Sequence, residues 1–225
     1  MKISVVTAGW RPDGVKNVIK SLDEQTFQNW EHLIINDNNP ELRTTLAGLC
    51  LDPRRHWIDL GVRTHYYGGF SRNVGAMLSF GYLKDRYREF NNEWICFLDD
   101  DNFWEANHLQ LLADEALAYP GATMIGTDLL FIGVKNPDYR HRLKCRLQPQ
   151  QCDIGSFMIK KELFDKYGYF RPRPRRKITF DWELLEIIGR GEAEDWKLVE
   201  IGGSDNKIRI IHSDNPTFHF YHKER

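Results

Sequence analysis

Four times before residue 120 the chain sets a short apolar run against a stretch whose apolar residues recur at helical spacing, and the runs end in polar or acidic residues. That rhythm is the tightest constraint in the sequence. Strands alternating with helices close into a mainly parallel sheet covered by helices, an α/β architecture. "KISVVTA" (2–8) predicts a buried strand stopped at Gly9, and Asp13 is expected to cap a helix carrying Val15, Val18, Ile19 and Leu22. "EHLIIND" (31–37) predicts a second strand, 41–50 a helix, and "RHWIDL" (55–60) a third, weaker strand. A long helix over 68–87 with Ser71 as its cap, a strand over 93–98 and a helix near 105–118 complete the series.

From about residue 121 the rhythm changes. "ATMIGTDLLFIGV" is one long β-rich stretch, 135–150 is polar and basic, and 153–170 reads as a strand running into a short helix. "RPRPRRK" (171–177) is expected to be a loop. "TFDWELLEIIGRG" (179–191) is read as a helix starting near Asp181 and stopped by Gly189 or Gly191, and "KLVEI", "KIRII" and the "PTFHFYH" tail follow as short strands. No linker or repeat divides the chain, so one domain is expected, with a ligand-binding half over 1–102 and an acceptor-like half over 103–225.

The chemistry gathers where strands are expected to end, which is where parallel sheets bind ligands. "WICFLDDDNFW" (94–104) ends an apolar run on Asp99, Asp100 and Asp101. Adjacent carboxylates repel in a partly dehydrated place unless a positive group is present. If the segment is extended, Asp99 and Asp101 share one face and Asp100 takes the other, and two such carboxylates suit Mg²⁺ or Mn²⁺. A solvated acidic turn or a helix cap is the competing reading. Asp37 ends another strand, where it is either turn chemistry or an acceptor for a base N–H or ribose hydroxyl. Arg72 stands in the first turn of a helix, a poor place for a cation, so it either contacts an anion or makes a surface salt bridge. Asp181 and Glu183 flank Trp182 at a helix start, as simple helix chemistry or as a general base. His219 and His222 are either structural or late contributors to a metal site begun by Asp101. "RPRPRRK" carries five positive charges in seven residues, as a solvated loop or an anion clamp.

In this order the stretches resemble the GT-A glycosyltransferases, specifically the large inverting family 2. Its first strand typically reads like "SVVIPTYNRP", against "SVVTAGWRP" (4–12) here. Asn36–Asp37 match its second-strand pair, Arg72, Asn73 and Gly75 its "aRNxG" segment, "FLDDDNFW" its D-x-D, "FDWELL" (180–185) its acceptor-side motif and Tyr221–His222 its late Tyr-His. Trp10 stands where the family often has Asn, Thr7–Ala8 replace Pro-Thr, and Phe180 replaces a Glu. The resemblance implies a GT-A fold and a nucleotide-sugar site of Thr7, Ala8, Arg11, Asp37, Arg72, Asn73, Asp99 and Asp100. It implies metal ligation by Asp101, with His222 or His219 able to complete the site, and Asp181 as general base with Glu183 as fallback. The implied reaction is inverting sugar transfer from a nucleoside diphosphate sugar, UDP being the expected nucleotide, to a glycan or other hydroxyl acceptor, with Mn²⁺ or Mg²⁺ as cofactor. A nucleotidyltransferase is the rival within the enzyme class, although "TAGWRP" lacks its Gly-rich loop with Arg and Lys. A non-catalytic glycan- or nucleotide-binding module is the rival outside it.

The formal net charge of −1 gives no reason to expect a nucleic-acid partner. Cys50, Cys96, Cys145 and Cys152 form neither a metal-ligand spacing nor a disulfide framework, and "MKISVVTAGW" is too short in apolar residues for a signal peptide or membrane span. The expectation is therefore a cytoplasmic protein, with peripheral membrane contact and homo-oligomer formation left open.

Overall fold

The computed structural model describes residues 1–64, 68–83, 90–133, 140–146, 152–171, 180–192, 207–212 and 215–222, with only the backbone of 133, 180–182 and 220–222. Its first half is built of β1 (Ile3–Gly9), α1 (Pro12–Asp23), β2 (Trp30–Asn36), α2 (Pro40–Leu49), β3 (Arg55–Asp59), α3 (Gly69–Ser79) and β4 (Trp94–Phe97). Then come β5 (Phe103–Trp104), α4 (His108–Ala118), β6 (Met124–Thr127), β7 (Leu129–Gly133), β8 (Arg140–Leu143), β9 (Phe157–Lys160), α5 (Lys161–Tyr167), α6 (Phe180–Glu192), β10 (Ile208–Ile211) and β11 (Phe218–His222). A seven-stranded sheet runs β10-β6-β9-β4-β1-β2-β3, and a four-stranded sheet runs β5-β11-β7-β8. β1 pairs in parallel with β2 on one side and with β4 on the other, so the winding reverses between β1 and β4. That reversal opens a crevice beyond the carboxyl ends of those two strands. β9 runs antiparallel to both β4 and β6.

Both faces of the main sheet are covered, which explains why its strands are apolar throughout rather than alternating. Val6, Ile35, Ile95 and Phe97 pack with Ala76 of α3, Phe164 of α5 and Leu184, Leu185 and Ile188 of α6. Ile3, Val5 and Cys96 pack on the opposite face with Val18 and Leu22 of α1 and Leu109 and Leu112 of α4.

Several boundaries differ from the sequence expectation for identifiable reasons. Asp13 does not cap α1: Pro12 opens the helix, the cap position is Arg11, and Asp13 pairs with Lys16 at 2.8 Å. Ser71 does not cap α3, which begins after Gly68, and the helix ends at Ser79 rather than continuing to 87. Gly81 turns the chain there with φ of 77°, a conformation glycine adopts without steric penalty. The stretch 121–133 is two strands in different sheets, because Asp128 interrupts it. The Asp128 carboxylate is fully buried and accepts from the Cys145 N–H at 2.8 Å, Arg142 at 2.9 Å and His212 Nδ1 at 2.7 Å. "KLVEI" and residues 172–177 of the basic loop lie outside the described residues.

Two buried histidines give the fold a pH signature. His32 Nε2 meets the Thr7 hydroxyl at 2.9 Å and His108 Nδ1 meets the Thr217 hydroxyl at 2.8 Å, and burial pushes each imidazole down to about 3. In the unfolded chain a histidine titrates near ~6.5, so between these values the unfolded state holds more protons and stability rises with pH. Each histidine is expected to contribute up to about 1.4 kcal/mol of stability loss per pH unit on acidification below ~6.5. Urea midpoints at pH 7 and pH 5 check this; equal midpoints contradict it.

Candidate active site

Asp99, Asp100 and Asp101 follow β4 in a tight turn, closed by the Asn102 N–H donating to the Asp99 carbonyl at 3.0 Å. The extended alternation expected of them is therefore replaced by turn geometry, and each carboxylate meets a different partner. Asp99 receives Arg72, with Nε at 3.2 Å and Nη2 at 2.5 and 2.6 Å from its two oxygens. Asp100 is 4 % exposed. One of its oxygens accepts the Trp10 and Arg11 N–H groups at 2.8 and 2.7 Å, and the other accepts Arg11 Nε at 2.9 Å together with Nη2. Asp101 accepts Arg11 Nη1 at 2.8 Å and keeps about a third of its side chain exposed. Burial and the neighbouring Asp99 charge raise the Asp101 carboxyl above the usual carboxylate range despite Arg11. Burial weakens the Arg11 charge, and Asp100 and Asp101 outweigh it, holding the guanidinium above the ordinary arginine range.

The backbone leading from β1 into α1 is thus anchored by a carboxylate about ninety residues away, while no side chain caps the first turn of the helix. Gly14 makes the approach possible, since a Cβ there would lie 1.8 Å from the Asp100 carbonyl oxygen. Gly14→Ala must displace either α1 or the aspartate turn. It is expected to cost at least about 2 kcal/mol of stability. Thermal unfolding checks it, and an unchanged midpoint contradicts the contact.

The crevice is a cavity of about 560 Å³ lined by Ala8, Trp10, Arg11, Asp37, Arg63, Gly68, Ser71, Arg72 and the three aspartates, among others. A second cavity of about 510 Å³ adjoins Asp100 and Asp101 along α1. Asp37 accepts the Thr64 N–H at 2.8 Å, which fixes its carboxylate at the cavity wall. The Arg63 guanidinium lies 3.7 Å from the centre of the Trp10 ring, a cation–π stack on a partly exposed indole. Ser71 Oγ is buried without a partner among the described residues. Sequence reading missed Arg63, which sits in no motif, and took Ser71 for a cap.

Of the other expected site residues, Thr7 and Asn73 bind partners away from the cavity lining. Thr7 alternates away from Ala8 along β1, and its hydroxyl hydrogen-bonds with His32 Nε2. Asn73 does not face the cavity lining: its amide donates to the Phe170 carbonyl at 2.7 Å and its oxygen accepts the Phe170 N–H at 2.9 Å. It clips α3 to the chain just before Arg171, which in turn pairs with Glu183 at 3.1 Å. Glu183 is buried, and Asp181 lies in the first turn of α6, its side chain outside the described residues. His219 Nε2 is 2.9 Å from Glu105 and its ring sits edge-on to Phe103. Burial holds that imidazole below its usual pKa although Glu105 opposes this. The His222 side chain is likewise outside the described residues.

Among the described residues no three His, Cys, Asp or Glu side chains converge as a metal cage. Asp101, with about a third of its side chain exposed, is the carboxylate of the turn that would hold a hard cation, whose other ligands would have to come from outside the described residues. No helix among the described residues is long and apolar enough to cross a membrane.

No curated protein matches the chain. Among solved structures, S. aureus TarS 1-349 matches with a TM-score of 0.68 at 14% identity, over 97% of this chain and 60% of that one. The same TarS fragment in complex with UDP-GlcNAc matches with a TM-score of 0.68 at 15% identity, over 100% of this chain and 60% of that one. It has also been solved in complex with UDP, matching at 14% identity over 98% of this chain. This chain therefore spans about 60% of the length of those TarS structures, and at such identity they share its fold. The Glycosyl transferase family 2 profile matches residues 5–179. A seven-stranded sheet with its acidic turn at the β1/β4 reversal is the GT-A arrangement, and the chain belongs to glycosyl transferase family 2.

Proposed function

We propose that this glycosyltransferase moves a sugar from a UDP-linked donor to a hydroxyl acceptor, with inversion and with Mn²⁺ or Mg²⁺ on Asp101. One observation carries the reading: a single cavity gathers Asp37, the Trp10–Arg63 stack, Arg72 and the aspartate turn. Such a set suits the parts of a nucleoside diphosphate sugar in order. The indole offers an apolar face to the base, Asp37 an acceptor for base N–H or ribose hydroxyl, and Asp99 an acceptor for ribose or sugar hydroxyls. Arg72, held by Asp99, directs positive charge toward the diphosphate. TarS bound to UDP and to UDP-GlcNAc supports UDP as the nucleotide.

A divalent cation, when bound, offsets charge on the departing diphosphate. Asp181 takes the acceptor proton as the acceptor oxygen attacks the anomeric carbon from the face opposite the diphosphate. The bond from that carbon to the diphosphate oxygen breaks with its electron pair leaving on UDP. Glu183 serves a different purpose on this reading, because its ion pair with Arg171 ties α6 to the segment that Asn73 anchors. The acceptor half would then be 103–225 and the donor half 1–102, meeting at the aspartate turn.

Nucleotide release from UDP-, GDP-, dTDP- and CMP-sugars, each with Mn²⁺ or EDTA and a panel of hydroxyl acceptors, tests the proposal. Release of UDP alone, dependent on Mn²⁺, is the expected result. Pyrophosphate release from a nucleoside triphosphate and a sugar phosphate would overturn it in favour of nucleotidyl transfer.

A further inference from the structure

Arg11 is held more firmly than a half-exposed arginine needs to be. Nε and Nη2 both bind the buried Asp100, which is itself fixed by the Trp10 and Arg11 N–H groups, while Nη1 reaches Asp101. The guanidinium is therefore a resident cation, unable to swing away without giving up its bonds to two carboxylates, one of them buried. The charges around it are closely balanced. Asp99, Asp100 and Asp101 face Arg11 and Arg72, and Asp37 and Arg63 add one charge of each sign to the same cavity lining. The set carries a net charge of about one negative unit, too little to hold a divalent ion beside a fixed guanidinium.

We infer that Arg11 makes divalent-cation binding at Asp101 conditional on the nucleotide diphosphate. The diphosphate brings the negative charge that the site lacks, and its oxygens supply the ligands that Asp101 alone does not. Binding of the ion and the nucleotide is then mutually dependent, and the site does not load with metal alone. The inference rests on the metal-dependent reading above and deepens it.

Manganese binding by the full chain can be read without any turnover, from loss of the free Mn²⁺ electron paramagnetic resonance signal. Wild type, Arg11→Gln and Arg11→Lys are each titrated with and without UDP. Without UDP, Arg11→Gln is expected to bind Mn²⁺ at least about tenfold more tightly than wild type, since a fixed like charge has been removed. Arg11→Lys, which keeps the charge, should behave as wild type, and UDP should tighten Mn²⁺ binding to wild type by at least about tenfold. Adding Asp101→Asn to Arg11→Gln should abolish the gain; a gain that survives places the ion elsewhere and overturns the inference. Equal Mn²⁺ affinity of wild type and Arg11→Gln without UDP overturns it while leaving metal dependence intact. If neither binds Mn²⁺ even with UDP, the metal-dependent reading fails and the inference falls with it.

Discussion

Asp181→Asn is expected to lower sugar transfer by about 10²–10⁴-fold, the usual contribution of a positioned general base, while UDP affinity changes less than about twofold. The split follows from location. Asp181 sits in the first turn of α6, whereas the cavity proposed for the nucleotide is lined from the ends of β1 and β2, from α3 and from the aspartate turn. Asparagine keeps the size and the helix-terminal position but cannot take a proton from the acceptor hydroxyl. Glu183→Gln is the control. Glu183 accepts from Arg171 and is buried, so its loss should loosen the segment joining α6 to α3 and raise the acceptor KM more than it lowers kcat. Normal transfer by Asp181→Asn, or a larger kcat loss in Glu183→Gln, would move the base to Glu183.

Asp100→Ala is expected to cost about 3 kcal/mol of stability, from two part-buried N–H donors and a guanidinium left short of their acceptor. The figure is kept modest because Arg11 retains Asp101 and is 37% exposed at its side chain. For a chain of this length that corresponds to a melting point lower by roughly 10 °C. The same substitution should weaken UDP binding, because Trp10 and Arg11 lose the anchor that sets them at the cavity. A melting point within about 2 °C of wild type would show that the aspartate turn does not hold the end of β1. Scanning calorimetry of the purified variant gives the answer directly.

The strands and most helices were legible because their cause is local. β-branched runs such as "ISVV" and "HLII" need burial on both faces, and helical spacing in 12–23 or 108–118 declares one buried side. Family membership was legible for a different reason, the order of short motifs along the chain. What failed was long-range. Asp13 looked like the cap of α1, but no side chain caps that helix, and the chain entering it is held instead by Asp100, about ninety residues away. Asn73 stood inside the family's "aRNxG" pattern beside Arg72, yet its amide faces the Phe170 backbone, a partner no local pattern announces. Asp128 interrupted an apolar run for the sake of Arg142, Cys145 and His212, all distant in sequence. Arg63 gave no signal, since its value lies in stacking on the Trp10 ring beside it in the cavity lining.

The three carboxylates that end β4 thus carry separate tasks. Asp99 orients Arg72, Asp100 fixes the end of β1, and Asp101 keeps an edge, about a third of its side chain, exposed where it lines the cavity. The central proposal is that this edge, with a divalent ion, holds the diphosphate of a UDP-linked donor. Isothermal titration of UDP into the full chain, in Mn²⁺ and again in EDTA, tests it most directly. Tight binding in Mn²⁺ that weakens by at least about tenfold in EDTA, and an Asp101→Asn variant insensitive to the change, is the expected result. Equal UDP affinity in Mn²⁺ and EDTA for the wild-type chain would contradict it.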